Sequence, residues 1–241
     1  MPIGVIVNCS ATFLGGLVGG LLGDRLPEKI KSDLTLIFGV SSMSMGITYL
    51  CKVNALPAVI LSVILGLIIG DVLHLNEAIQ AGGAKMNGIA SRILPKNGSS
   101  LDADEHMRQL VSILVLVCAS GTGIFGSLNS GLSGDHTALY TKAVLDLFTA
   151  AIFASRLGAV VALVAVPQLI IQLALFFSAG LILPITDAAM QADFAACGGI
   201  LMIATGLRIA NIKNYPVADM LPAMVIVMPI SRLWSLLLQV L

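Results

Sequence analysis

Charge is what this 241-residue chain has least of: Asp, Glu, Lys and Arg make up 11% of it, against 57% apolar residues. The few charges gather in short breaks between long uncharged runs, as in DRLPEKIKSD, Asp24 to Asp33. No segment is long and polar enough to form a separate soluble domain. Lys and Arg number 13 and so do Asp and Glu, which leaves no basic excess to bind nucleic acid. No Lys or Arg precedes the first apolar run, Ile3 to Gly23, and no small-residue cleavage pattern follows it. A secretory signal needs both, so this run reads as a retained helix. Cys9, Cys51, Cys118 and Cys197 sit in or at the ends of apolar runs, a spacing that suits packing and neither a disulfide framework nor a zinc site. His74, His106 and His136 do not pair at ligand spacing. There is no phosphate-cradling glycine loop between strand and helix, and no Ser/His/Asp set. An enzyme is therefore not expected, and no cofactor is implied.

What the chain does have is mean hydropathy of +0.99. A helix needs about 20 apolar residues to cross hydrocarbon, where each backbone N–H and C=O must bond internally. The expected fold is all-α, a single polytopic transmembrane domain over 1–241 with about eight crossings. The candidate spans are 3–23, 34–51, 57–74, 108–127, 142–156, 157–183, 196–212 and 218–240. Only Arg156 divides the fifth from the sixth. The alternative ends the fifth near Val166 and begins the sixth at Pro167, leaving Arg156 inside the membrane.

Positive charges orient the bundle, because Lys and Arg are retained on the cytoplasmic side. The breaks after spans 1, 3, 5 and 7 hold Arg25, Lys29, Lys31, Lys85, Arg92, Lys96, Arg108, Arg156, Arg208 and Lys213. The opposite breaks hold Lys52 and Lys142, with Arg232 near the C-terminus. Both termini are expected outside. The long break, 75–107, is then cytoplasmic, with Leu75, Ile79, Met86, Ile89 and Ile93 at the spacing of an amphipathic surface helix. Pro95 to Gly98 would end that helix, and Ser99 with Asp102 would cap the next. The plain role for this segment is a tether between two helices.

A weak internal repeat aligns Ser10–Asp24 with Gly121–Asp135 without gaps, matching Gly15 to Gly126, Gly20 to Gly131 and Asp24 to Asp135. Extended, it would pair residues 1–74 with 108–183 and leave an extra helix pair over 196–240. An offset of three crossings inverts one copy, an arrangement found in secondary transporters with a substrate site at the repeat interface.

The best candidate site is Cys118 to Gly126, CASGTGIFG, where Ser120, Gly121, Thr122 and Gly123 stand in what should be a continuous crossing. A break there would aim free backbone groups at an ion or small solute; close helix packing is the competing explanation. Gly15, Gly16, Gly19, Gly20 and Gly23 form a small-residue ridge on span 1, suited to packing within one chain or across a homo-oligomer. Asp146, near the outer end of span 5, and Arg208, toward the inner end of span 7, are ionisable groups beside or inside hydrocarbon. Each would join a polar pathway or else reach the headgroups. Asn8, Ser41, Ser42, Ser44, Thr48, Gln168 and Gln172 are polar groups within spans, more often bridges between helices than ligand contacts.

The runs LVCASGTGIFGSLNSGLSGD, LDLFTAAIFASRLG and DFAACGGILMIATGLRIANIKNYPVADMLPAM resemble the YqgA/YdfK-like family of bacterial inner-membrane proteins. So does the glycine-ridged opening followed by RLPEKIK. The resemblance covers essentially the whole chain and implies a bacterial plasma-membrane protein of about eight helices, with no established substrate or site residues. Arg156 departs from the family pattern, which puts a general role for it in doubt. The leading expectation is a secondary transporter or channel-like protein for a small solute or ion, in contact with the lipid bilayer. Its pathway would pass Asn8, Ser120, Gly121, Thr122, Gly123, Asp146 and Arg208. The alternative is a non-transporting assembly partner, sensor or scaffold.

Overall fold

Backbone groups that find no water must bond within their own segment, and every regular element among the described residues is a helix. The computed structural model describes residues 1–22, 27–78, 81, 110, 113, 114, 117, 118 and 120–240. In order these form α1 (Ile3–Leu22), α2 (Glu28–Leu50), α3 (Leu56–Val72), α4 (Gly121–Ser133) and α5 (Thr137–Leu157). A 3-10 segment (Ala159–Val164) leads into α6 (Ala165–Ile182), followed by α7 (Ala188–Ile209) and α8 (Pro222–Val240). Ile3–Leu21, Ser32–Leu50, Thr137–Leu157, Ala159–Leu181 and Ala188–Ile209 are long and apolar enough to cross a membrane, and Leu56–Val72 and Pro222–Leu238 are shorter apolar helices. Ile64, Ile170, Phe177 and Val225 stand exposed, an apolar exterior that water would disfavour and lipid would cover.

Glycine sets how the helices meet. A Cβ on Gly15 or Gly19 would collide with the carbonyl oxygens of Leu147 and Ala151, and one on Gly16 or Gly20 with the backbone of Ala162 and Ala159. Gly15, Gly16, Gly19 and Gly20 of the α1 ridge are therefore packed inside one chain, against α5 and the 3-10 segment, and Gly23 lies outside the described residues. Gly15 meeting Leu147 and Gly19 meeting Ala151 make α1 and α5 parallel. On α2, Gly39 meets Gly206 and Gly46 meets Gly199, so α2 and α7 run antiparallel. Gly66 and Gly70 of α3 meet Ala223 and Asp219, again antiparallel to α8. These directions are the ones that alternating crossings require.

Several boundaries differ from the sequence reading, while the division between the fifth and sixth spans agrees with it. The fourth expected crossing is not one helix: positions 117 and 118 are helical, Ser120 is extended (φ −72°, ψ 137°), and α4 begins at Gly121. Helix α5 starts at Thr137, not 142, because Lys142 is buried and paired, not a loop charge. Asp146 consequently lies in the middle of its helix, not near its outer end. The fifth and sixth spans part at Gly158, whose φ of +81° a side chain would resist, so the alternative division at Pro167 is not what forms. Helix α7 begins at Ala188, eight residues before the expected span, because Asp187 caps it by accepting from the Met190 amide at 2.9 Å. Asp193, inside the added turns, is fully buried and accepts from the amides of Asn54 (2.8 Å) and Ala55 (2.7 Å) and from Ser231 (2.5 Å). The amphipathic segment is helical from Leu75 to Ala78, and most of 75–107, with Ser99 and Asp102, lies outside the described residues.

The end of the bundle holding Gly4 and the α2–α3 turn is pinned by Asp135. Its carboxylate accepts from the Thr137 amide (2.9 Å) and Tyr49 hydroxyl (3.1 Å) and lies 3.8 Å from Lys52. Burial acts to raise this carboxyl, but the Thr137 and Tyr49 hydrogen bonds and the Lys52 charge outweigh it and hold it below its usual value. A depressed folded value means stability that is complete above the unfolded value, about 4, and is lost as pH falls through the folded one. In Asp135→Asn, unfolding in detergent should lose part of its acid sensitivity.

The glycine contacts predict a second contrast. Gly19→Ala should cost about 1–3 kcal/mol through overpacking. Gly180→Ala, with nothing within 4 Å of its Cβ, should stay within about 0.5 kcal/mol of the parent. Thermal unfolding of the two purified variants in one detergent measures the difference.

Candidate functional site: a buried ion pair at the floor of a cavity

Residues four apart share a helix face, and α5 places Lys142 and Asp146 in that relation toward the protein interior. Both are buried, at 3% and 6% exposure. Lys142 Nζ donates to Asp146 Oδ1 at 2.7 Å and to Oδ2 at 2.6 Å. A lone charge at this depth would cost several kcal/mol, so pairing it on the same helix is what makes its burial tolerable.

The pair is held from two other helices. Asn8 of α1 donates from Nδ2 to Asp146 Oδ2 at 2.8 Å. Gln168 and Gln172, one turn apart on α6, each donate from Nε2 to Asn8 Oδ1 at 2.8 Å, and Gln168 also reaches Asp146 Oδ2 at 3.0 Å. Cys9 Sγ donates to Gln172 Oε1 at 3.6 Å. Every bond to the carboxylate is donated to it. Among the described residues, Gln168 Oε1 is the buried side-chain polar atom left without a hydrogen-bond partner.

The break in the fourth crossing lies against this pair. Ser120 caps α4 by accepting from the Gly123 amide at 3.0 Å. A Cβ on Gly123 would sit 2.8 Å from Lys142 Cε and 2.9 Å from Ser120 Oγ, so glycine at this position leaves room for the lysine stem. The 13 residues of α4 span about 20 Å at 1.5 Å each, short of the roughly 30 Å of hydrocarbon. The N-terminus of α4 therefore ends inside the protein and not at its surface.

Beside these groups lies a cavity of about 260 Å³. Lys142 and Asp146 line it from α5, Ser120 and Thr122 from the start of α4, Ser42 from α2 and Arg208 from α7. Arg208 is exposed in the last turn of α7, where a cation complements the negative helix end.

The structure thus brings Ser120, Thr122, Asp146 and Arg208 to one cavity and sets Gly121 and Gly123 in the turn above Lys142. Asn8 stands behind the pair and is not among the lining residues. The third wall is α2, with Phe38 and Ser42, where the sequence reading had placed span 1. Lys142 is the residue that sequence reasoning missed. Its charge had been assigned to a loop, although its place four residues before Asp146 was a legible signal of pairing. Gln168 and Gln172 act as the helix bridges expected of them, and Ser42 bridges α2 to α7 by donating to the Met202 carbonyl at 3.0 Å.

Removing one partner of a buried pair leaves the other charge uncompensated. Lys142→Met should destabilise the protein by about 3–5 kcal/mol, and adding Asp146→Asn should recover a large part of that loss. A double-mutant cycle on unfolding in detergent checks the coupling.

Residues 3–232 match the family model described as Protein of unknown function (DUF554). The chain is 46% identical over 237 residues to a protein of Escherichia coli (strain K12) named Uncharacterized protein YqgA, covering 98% of each. It is 22% identical over 227 residues to Uncharacterized membrane protein YdfK of Bacillus subtilis (strain 168), covering 92% of this chain and 93% of that one. No solved structure matches. The name of the Bacillus protein and the apolar helices together indicate a membrane location, and the match over nearly the whole length identifies the chain as a member of the DUF554 family.

Proposed function

We propose that this protein is a secondary transporter or channel-like protein that moves a small solute or ion across the bacterial plasma membrane, with both termini outside. The observation that carries the reading is the cavity of about 260 Å³ that reaches a buried Lys142–Asp146 pair in the middle of a membrane-length helix. Intramembrane ionisable residues open to a cavity mark solute and proton pathways. An interrupted helix beside them is a recurring feature of transporter sites. In this reading Asp146 is the coupling group and the turn from Ser120 to Gly123 contacts the solute. The protein carries its solute without chemical change, so it is not an enzyme.

One observation favours the second reading, a non-transporting assembly partner, sensor or scaffold. Asn8, Gln168 and Gln172 all bond to one another or to Asp146, as a purely structural polar knot would. The cavity supports the transport reading over this one, because a knot needs no open space beside it.

Charge movement in proteoliposomes tests the proposal, screened against ions and small metabolites. A solute-dependent current should disappear in Asp146→Asn and persist in Arg232→Gln, a change at an exposed position on α8. A current that survives in Asp146→Asn keeps transport and removes Asp146 from the pathway. Silence across the panel, with silence in parallel tracer-uptake assays, sinks transport.

A further inference from the structure

We propose that the cavity binds a small organic monoanion, a short-chain carboxylate, with its charged end at the N-terminus of α4 beside Lys142. The proposal rests on the transport reading of the same cavity and names its substrate class.

Charge selects the sign. Among the described residues, the charged groups lining the cavity are Lys142, Asp146 and Arg208. Lys142 and Asp146 cancel, and the full charge of Arg208 exceeds the negative charge of about half a unit that the end of α7 brings beside it. The start of α4 adds about half a positive charge, aimed inward because the helix begins inside the protein. Hydrogen bonding agrees. The Gly123 amide is taken by Ser120 Oγ and the Ile124 amide by the Ser120 carbonyl. The Gly121 and Thr122 amides are the ones that helix geometry leaves without an intrahelical acceptor. Lys142 is nine-tenths buried, yet it lines the cavity, and an ammonium bonded to one carboxylate retains donor capacity for a second. A cation would find no comparable welcome, because the Asp146 carboxylate already accepts from Lys142, Asn8 and Gln168.

Size and polarity select the class. The cavity of about 260 Å³ equals roughly nine waters at ~30 Å³ each, room for a ligand of about that many non-hydrogen atoms. Phe38, Leu145, Ile152 and Phe153 give it apolar lining in addition to the hydroxyl residues Ser120 and Thr122. A bare inorganic ion makes no use of such a lining, whereas a short carbon chain buries against it. Arg208, exposed at the cavity's edge, would meet the anion first.

The test is binding of radiolabelled butyrate to the purified protein in detergent, with chloride and butylammonium as competitors. Saturable butyrate binding is expected, displaced weakly by chloride and not by butylammonium. Arg208→Gln should weaken it about tenfold and Thr122→Val about threefold, the scale of one charged and one neutral hydrogen bond, with Arg232→Gln unchanged. Displacement by chloride at equal concentration, displacement by butylammonium, or no butyrate binding at millimolar levels each overturns the proposal. Butyrate that binds but does not cross proteoliposomes would defeat the transport reading and leave the ligand class standing. Asp146-dependent flux of some other solute without butyrate binding would do the reverse.

Discussion

The Lys142–Asp146 pair is the constraint around which the rest of this structure is arranged. Two charges on neighbouring turns of one helix, nearly excluded from water, are stable only if their remaining bonding capacity is met. Asn8 meets it from α1 and Gln168 from α6, while Gln172 holds Asn8 in place. The distant α1 and the neighbouring α6 are thereby tied to one carboxylate on α5. That knot needs α1 and α5 in close contact, which the glycines at 15 and 19 allow. It also needs room for the lysine stem, which Gly123 provides.

The same requirement explains the broken crossing. A continuous helix through residue 120 would satisfy its backbone, whereas a new helix start leaves its first amides without an intrahelical acceptor. Ser120 ends the continuity and caps the new helix at once. Unwound backbone at this depth is tolerated only where protein or a cavity surrounds it, and here both do. Glycine thus serves two ends: close helix contact at Gly15, Gly19, Gly39 and Gly46, and space for a charged side chain at Gly123.

Away from the cavity, buried or half-buried carboxylates fasten loops. Asp193 holds the amides at the start of α3, Asp219 accepts from the Asn76 amide at 2.9 Å, and Asp135 joins the ends of α2 and α5. These residues look alike in sequence, each an acidic group at or near a span. What separates them from Asp146 is their partners: backbone amides and hydroxyls, with the exposed Lys52 beside Asp135, in their case, and a buried ammonium beside open space in its case.

The character of the fold was legible in the sequence alone. Long apolar runs have one low-energy solution in lipid, the helix, and most spans were placed to within a few residues because charge cannot enter hydrocarbon unpaired. The same rule misled at Lys142 and Asp193. A paired charge can lie within a span: Lys142 pairs with a residue one turn away, a signal the spacing did carry, whereas Asp193 bonds to amides more than a hundred positions away, which leave no local signature. Spacing alone did show a weak point at Ser120 to Gly123, since glycine and serine loosen a helix wherever they cluster. Only the tertiary structure decided that this weak point faces a cavity, that Arg208 shares it with Asp146, and that α2 rather than α1 forms its third wall. Those facts depend on how helices pack, and packing follows from shapes that meet across the fold, not from the order of residues along the chain.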